Sequence, residues 1–157
     1  MTSKGDIRLQ PADRVGLVVA NFEPQIVDLL LTSALLQIKA AGGNPDNVEI
    51  VRVPGGLEVP FALKLLIQKG GFRCFVALGC VIRGETTHYD VVVNECVRGC
   101  MDLVREFTVP FGFGIITANT YAQAEARAGT ERCVGRMAMK AAIEMASLNE
   151  KITGDSV

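Results

Sequence analysis

A chain of 157 residues has room for a full hydrophobic core in one domain, and 49% hydrophobic against 21% charged residues is the balance of a globular protein in water. A formal net charge of −1 without a basic stripe excludes nucleic acid as an expected partner. Residues 1–13 are polar and lack the apolar core of a secretory leader, and no apolar run reaches the length of a membrane span, so the expectation is a cytoplasmic protein.

The first strand is expected at Arg14-Val-Gly-Leu-Val-Val-Ala20, a continuous apolar run of the kind covered on both faces. Asn21-Phe22-Glu23-Pro24 follows, with Pro24 placed to open a helix over residues 26–41. Leu29, Leu30, Leu36 and Ile38 are among its apolar positions, and Gly42-Gly43 stops it. Phe22 therefore projects from the end of the first strand, where an aromatic ring is either core filler or a stacking platform. Val48-Glu-Ile-Val-Arg-Val53 is the second strand. It runs into Pro54-Gly-Gly-Leu-Glu-Val-Pro60 and a helix reaching about Lys69. Gly55 and Gly56 let the backbone approach a flat ligand closely. Glu58 either serves the helix dipole or accepts hydrogen bonds from a polyol.

Cys74-Phe-Val-Ala-Leu78 reads as the buried third strand, and Gly79-Cys-Val-Ile-Arg-Gly-Glu-Thr-Thr-His-Tyr-Asp90 follows it. Residues 91–107 then repeat Val93, Val97, Cys100 and Val104 at helical spacing. In an open parallel sheet, ligands sit at the carboxyl ends of strands, where this crossover lies. His88, the one histidine of the chain, falls there. Around it stand Arg83, Gly84, Glu85, Thr86 and Thr87, at a helix start whose free N–H groups favour an anion. An anion cradle beside a group that moves protons near neutral pH points to a phosphorylated substrate. The plainer alternatives are a histidine that caps the helix and a turn that only makes the turn.

Pro110-Phe-Gly-Phe-Gly-Ile-Ile-Thr117 is the fourth strand, with Phe111 and Phe113 alternating with glycine. Residues 121–128 form a short helix closed by Gly129; its Arg127 is either an exposed charge or a phosphate clamp. An Ala- and Met-rich helix covers residues 135–148, and residues 151–157 are expected as a frayed tail. Five cysteines without a Cys-x-x-Cys pair, beside a single histidine, do not make a usual zinc set; they read as small buried apolar residues in a reducing compartment, with no metal. The alternation of strands and helices argues one domain, residues 1–157, built as a three-layer α/β/α sandwich around a parallel four-stranded sheet, with residues 1–13 as an N-terminal arm. Little chain remains to cover the sheet edges, which favours oligomers.

The strand-end motifs Asn21-Phe22, Val53-Pro-Gly-Gly-Leu-Glu-Val-Pro60, the stretch from Gly79 to Asp90, Phe113-Gly-Ile-Ile-Thr117 and Gln123-Ala-Glu-Ala-Arg-Ala-Gly129, with Ala142-Ile-Glu-Met-Ala146 near the end, resemble the 6,7-dimethyl-8-ribityllumazine synthase family over about residues 14–150. The resemblance implies a flavodoxin-like fold and a transferase of riboflavin biosynthesis. Such an enzyme joins 5-amino-6-(D-ribitylamino)uracil to 3,4-dihydroxy-2-butanone 4-phosphate, releases phosphate and water, and uses no cofactor. It further implies that Phe22 stacks on the pyrimidine, that Gly56, Leu57, Glu58, Cys80, Val81 and Ile82 hold its edges and ribityl chain, that Glu85, Thr86 and Arg127 take the phosphate, and that His88 carries protons. Family members assemble as homopentamers with sites between subunits, so Phe113 and Arg127 are expected to serve a neighbour's site. Two departures stand out: Thr130-Glu-Arg-Cys-Val-Gly-Arg136 lacks the lysine usual after Arg-Ala-Gly, leaving Arg132 or Arg136 as replacements, and Glu23 stands where Asn is common. The alternative function is a non-catalytic flavin- or lumazine-binding protein, or a shell protein, on the same scaffold.

Overall fold

Four strands line up in parallel in the order β2-β1-β3-β4: β1 Val15–Ala20, β2 Val48–Val53, β3 Cys74–Ile82 and β4 Phe111–Ala118. The computed structural model describes residues 8–129 and 132–154. The helices are α1 Pro24–Ala40, α2 Val59–Lys69, α3 His88–Phe107, α4 Tyr121–Ala128 and α5 Val134–Thr153, with short 3-10 turns at Pro45–Asn47 and Gly56–Glu58. The strand order is that of a flavodoxin-like sheet without its fifth strand.

The continuous apolar runs are explained by burial on both faces. Side chains alternate across a strand, so Leu17 and Val19 of β1 join Val76 and Leu78 of β3 under α1, α4 and α5. Val18 and Ala20 join Phe75 and Ala77 under α2 and α3. Pairing of Val15 with Cys74 and of Val19 with Leu78 sets this register. A slip by one residue would exchange the two apolar faces. Two glycines set the closeness of the α5 layer. A Cβ on Gly112 would stand 2.0 Å from the Ala138 carbonyl oxygen, and one on Gly135 would stand 2.3 Å from that of Leu30. Strand β4 and helices α1 and α5 thus meet backbone to backbone.

Several expectations are corrected in detail. Strand β3 does not end at Leu78 but continues to Ile82, because Gly79 through Ile82 go on pairing with Ile115 through Ala118. On α3 the buried stripe is Val92, Cys96, Cys100 and Leu103. The helix starts at His88, and packing of Val92 and Cys96 on Gly56 and of Gly99 on Pro60 leaves Val97 outward and Val93 and Val104 half-buried. On α1, Leu30 and Ile38 are buried with Ile26, Val27 and Ala34, whereas Leu29 and Leu36 are exposed. Residues 151–153, expected in the tail, are helical, and α5 ends on Gly154 at φ 75° with its N–H bonded to the Glu150 carbonyl. Buried Arg73 anchors this end of α5 through a 2.8 Å bond to Glu150 Oε2. Residues 155–157 of the expected tail and 1–7 of the expected arm lie outside the described residues. The rest of that arm is packed in place: Leu9 is buried and its N–H donates to the Ala41 carbonyl at 2.9 Å.

All five cysteines are buried and free. Burial pushes the Cys74 thiol up to about 12. Cys96 and Cys100 are hydrogen-bonded to each other, and that bond together with burial drives Cys100 far upward. The Cys133 thiol donates to the Ala128 carbonyl at 2.8 Å and lies 2.9 Å from the Ser33 hydroxyl.

Candidate active site

The connection out of β1 runs to β2 on one side, and the sheet continues through β3 on the other. Such a switch opens a crevice at the carboxyl ends of the strands. A cleft of about 480 Å³ lies there, bounded by segments that follow β1, β2 and β3.

The wall from β1 is Phe22. Asn21 N–H extends the strand pairing to the Val53 carbonyl at 2.8 Å, and Arg52 holds the Asn21 side chain at 3.1 Å. Glu23 then takes a left-handed conformation, φ 54°, with its carbonyl accepting from the first N–H groups of α1. That sharp turn, followed by Pro24 at the helix start, leaves Phe22 65% exposed on the cleft lining. Local backbone strain of this type clusters at functional sites.

The floor comes from the segment after β2, with Pro54, Gly55, Gly56, Leu57 and Glu58 all on the lining. Gly56 is packed against α3: a Cβ there would stand 3.0 Å from Val92 Cγ1. A Cβ on Gly55 would lie 3.3 Å from Glu58 Oε2, so the exposed carboxylate folds back over Gly55.

The third wall is the end of β3 and the start of α3. Cys80, Val81 and Ile82 line the cleft along the strand, and Gly84, Thr86, His88, Tyr89 and Val92 continue it. His88 N–H donates to Thr86 Oγ1 at 3.3 Å, and the Asp90 N–H bonds the Thr87 carbonyl at 3.0 Å, which shapes the first turn of α3. The imidazole is exposed to the cleft and to solvent. Burial, and then the Glu23 carboxylate, push the Cys80 thiol up to about 11, so at neutral pH it is a protonated wall residue and not a nucleophile.

The structure thus brings together Phe22, Gly56, Leu57, Glu58, Cys80, Val81, Ile82, Thr86 and His88. It leaves Glu85 exposed and off the lining. Phe113 and Arg127 are elsewhere. Phe113 sits half-buried on edge strand β4, its ring 6.5 Å from that of Phe111. Arg127 is exposed on α4 and donates to the Gln123 carbonyl at 3.1 Å. Among the described lining residues there is no lysine or arginine. Of the candidate lysine replacements, Arg132 is exposed and Arg136 donates to Gln37 at 3.2 Å. Thr130 and Glu131 lie outside the described residues. Tyr89 and Val92 were not singled out from the sequence. Val92, four residues after His88, shares its helical face, and that spacing was a usable signal.

A family model described as 6,7-dimethyl-8-ribityllumazine synthase matches residues 12–150. A protein of that name from Cupriavidus metallidurans is 42% identical over 135 residues, covering 86% of this chain and 78% of its own length. One from Methylobacterium radiotolerans is 44% identical over 142 residues, covering 90% and 85%. One from Salinibacter ruber is 40% identical, covering 90% and 91%. The chain belongs to the 6,7-dimethyl-8-ribityllumazine synthase family.

Proposed function

We infer that this protein condenses 5-amino-6-(D-ribitylamino)uracil with 3,4-dihydroxy-2-butanone 4-phosphate to 6,7-dimethyl-8-ribityllumazine, releasing phosphate and water, in riboflavin biosynthesis. The observation that carries the reading is one cleft, in a member of this family, that combines an exposed aromatic ring, a glycine-lined floor with a carboxylate, and the single histidine. A flat pyrimidine stacks on Phe22, while Gly56, Leu57, Cys80, Val81 and Ile82 hold its edges and Glu58 accepts from ribityl hydroxyls. The amine of this substrate attacks the ketone of the other, so no protein nucleophile is required. Water leaves to give an imine, phosphate is eliminated, and the second amine closes the ring on the remaining carbonyl with loss of a second water. Each stage moves a proton, and His88 is the group in the cleft that works in both directions near neutral pH. Thr86 and the free N–H groups at the start of α3 meet the phosphate.

The absence of cationic side chains from the described lining supports a site completed by another subunit. Arg127 supplies the charged fork and Phe113 the second ring from a neighbouring copy, and Glu85 lies at the phosphate end. Exposed Phe61, Leu65, Val97 and Met101 on α2 and α3 give the apolar surface for such contacts. A cytoplasmic homopentamer is the assembly we propose. Among the described residues no helix is long and apolar enough to cross a membrane.

The test mixes the purified protein with both substrates and follows lumazine fluorescence and released phosphate against the uncatalysed blank. Equal yields of the two products above blank are expected. His88→Ala is slowed by about 10²–10⁴-fold, the usual worth of general acid–base catalysis. It is not silenced, because holding two substrates together still accelerates the reaction. Arg127→Ala loses affinity for the phosphorylated substrate. Reassembling His88→Ala with Arg127→Ala chains regains activity, since some hybrid sites receive both native residues. No acceleration by the wild type overturns the enzyme reading; failure of hybrids alone overturns the shared site.

A further inference from the structure

Arg83 follows β3 directly and does not line the cleft, yet its side chain is tied to three residues, Asn119, Tyr89 and Asp90. Its backbone N–H prolongs the sheet to the Ala118 carbonyl at 2.8 Å. Its Nε donates to Asn119 Oδ1 at 3.1 Å, and Nη1 and Nη2 reach Asp90 Oδ2 and Oδ1 at 3.3 Å each. The guanidinium carbon stands 4.2 Å from the centre of the Tyr89 ring. The far anchor is itself held, because Asn119 N–H donates to Gln123 Oε1 at 2.9 Å and Gln123 N–H to Thr120 Oγ1 at 3.2 Å, which fastens the group to the capped start of α4. One planar fork therefore ties the β4–α4 junction to the first turn of α3. Tyr89 and Asp90 flank the fork, and His88 immediately precedes them. The loop between is held otherwise by local bonds of its own, His88 N–H to Thr86 Oγ1 and Asp90 N–H to the Thr87 carbonyl, and a Cβ on Gly84 would meet nothing within 4 Å. Three of its five N–H donors are engaged by Asn119 and Asp90, and the residue stays off the cleft lining.

We propose that Arg83 is a positioning residue of the condensation, fixing Thr86, His88 and Tyr89 at the carboxyl end of β3 through its bridge from Asn119 to Asp90, without touching substrate. The proposal rests on the synthase reading above. Its energetic logic is geometric. The ion pair is exposed and contributes little to stability. A proton carrier displaced by as little as ~1 Å can nevertheless cost ~10²-fold in rate. A lysine in its place keeps the charge, but as a compact point charge it cannot hold Asn119 and Asp90 together while lying flat on Tyr89.

The test compares Arg83→Met, Arg83→Lys, Asp90→Asn and the double variant Arg83→Met/Asp90→Asn with the wild type. It measures kcat, the Kd of ribitylaminouracil by calorimetry, and Tm. The expected result is a kcat reduced about tenfold or more in Arg83→Met and Asp90→Asn, with the Kd within about twofold, because the pyrimidine is held by the segments after β1 and β2. Arg83→Lys recovers only part of the loss. The double variant is no slower than Arg83→Met alone, since both changes open the same bridge. Wild-type kcat in Arg83→Met overturns the proposal. So does a loss in which Kd and Tm deteriorate together with kcat, which is the signature of general disruption. A wild type that makes no lumazine above blank overturns the synthase reading itself, so the two failures are told apart by the control.

Discussion

Replacing Phe22 with alanine separates two roles that an aromatic residue at a strand end can have. The residue is 65% exposed, so only about a third of its surface is covered by the protein. Full burial of a phenylalanine is worth roughly 1.5–3 kcal/mol, which scales to about 0.5–1 kcal/mol here. For a domain of this size that is a fall in Tm of about 1–4 °C. Stacking a flat heterocycle on an aromatic face is worth about 1–3 kcal/mol by alanine substitution. At 1.4 kcal/mol per decade, affinity for ribitylaminouracil should drop by about 5- to 150-fold. Differential scanning fluorimetry gives the first quantity and isothermal titration of the pyrimidine substrate gives the second. Phe22→Tyr, which keeps the face, should bind close to wild type. An affinity change below about twofold, or a Tm loss well beyond that range, would refute the stacking role and return Phe22 to the core.

Two further predictions concern the scaffold. Gly112→Ala drives a methyl group into the Ala138 carbonyl, which belongs to a helix backbone and cannot rotate away. The cost should reach the upper part of the roughly 1–3 kcal/mol range for overpacking, and Tm should drop by several degrees. Gly84→Ala, which enters open space, should shift Tm by less than about 1 °C; equal shifts for the two would contradict the packing argument. At the opposite end of the sheet, a hydrogen bond from Lys69, assisted by Arg14, holds the Glu49 carboxyl below its ordinary value. A depressed folded-state pKa contributes stability above the unfolded value, near about 4.3, and that stability is lost as pH falls through the folded value. Urea midpoints of wild type and Glu49→Gln should therefore differ most near neutrality and converge on acidification, and a gap independent of pH would exclude this linkage.

The order of elements was legible because parallel strands buried on both faces leave continuous apolar runs, and Gly, Pro and polar clusters separate them. Phase was harder to read. Apolar residues occupy both Val92 and Val93, and both Cys96 and Val97, so α3 offers two overlapping stripes and only the packing on Gly56 and Pro60 selects one. Leu29 and Leu36 look like core residues by type, yet α1 seats Ala34 against the sheet in order to approach α5 closely through Gly135. The end of β3 was hidden by Gly79, a residue that ordinarily signals a turn but here sits beside Ala20 in the neighbouring strand, where a Cβ would come within 3.1 Å. Most of the cleft was legible because residues distant in sequence converge at strand ends. Tyr89 was missed because its role depends on the Arg83 guanidinium over its ring, a pairing fixed only once β4 and α4 are in place.

The thiols give the folded chain an unplanned property. Cys74 and Cys80 are held protonated well above physiological pH, Cys96 and Cys100 are occupied with each other, and Cys133 is closed off by Ser33 and the Ala128 carbonyl. All five sulfurs are buried, so alkylating reagents, which need an accessible thiolate, do not reach them while the chain is closed. Because they are spread over β3, α3 and the start of α5, each becomes reactive only when its own layer opens. Mapped residue by residue, the labelling rate becomes a clock for local unfolding: it can show whether the substrate-bearing end of β3 opens more often than the layer that α5 seals.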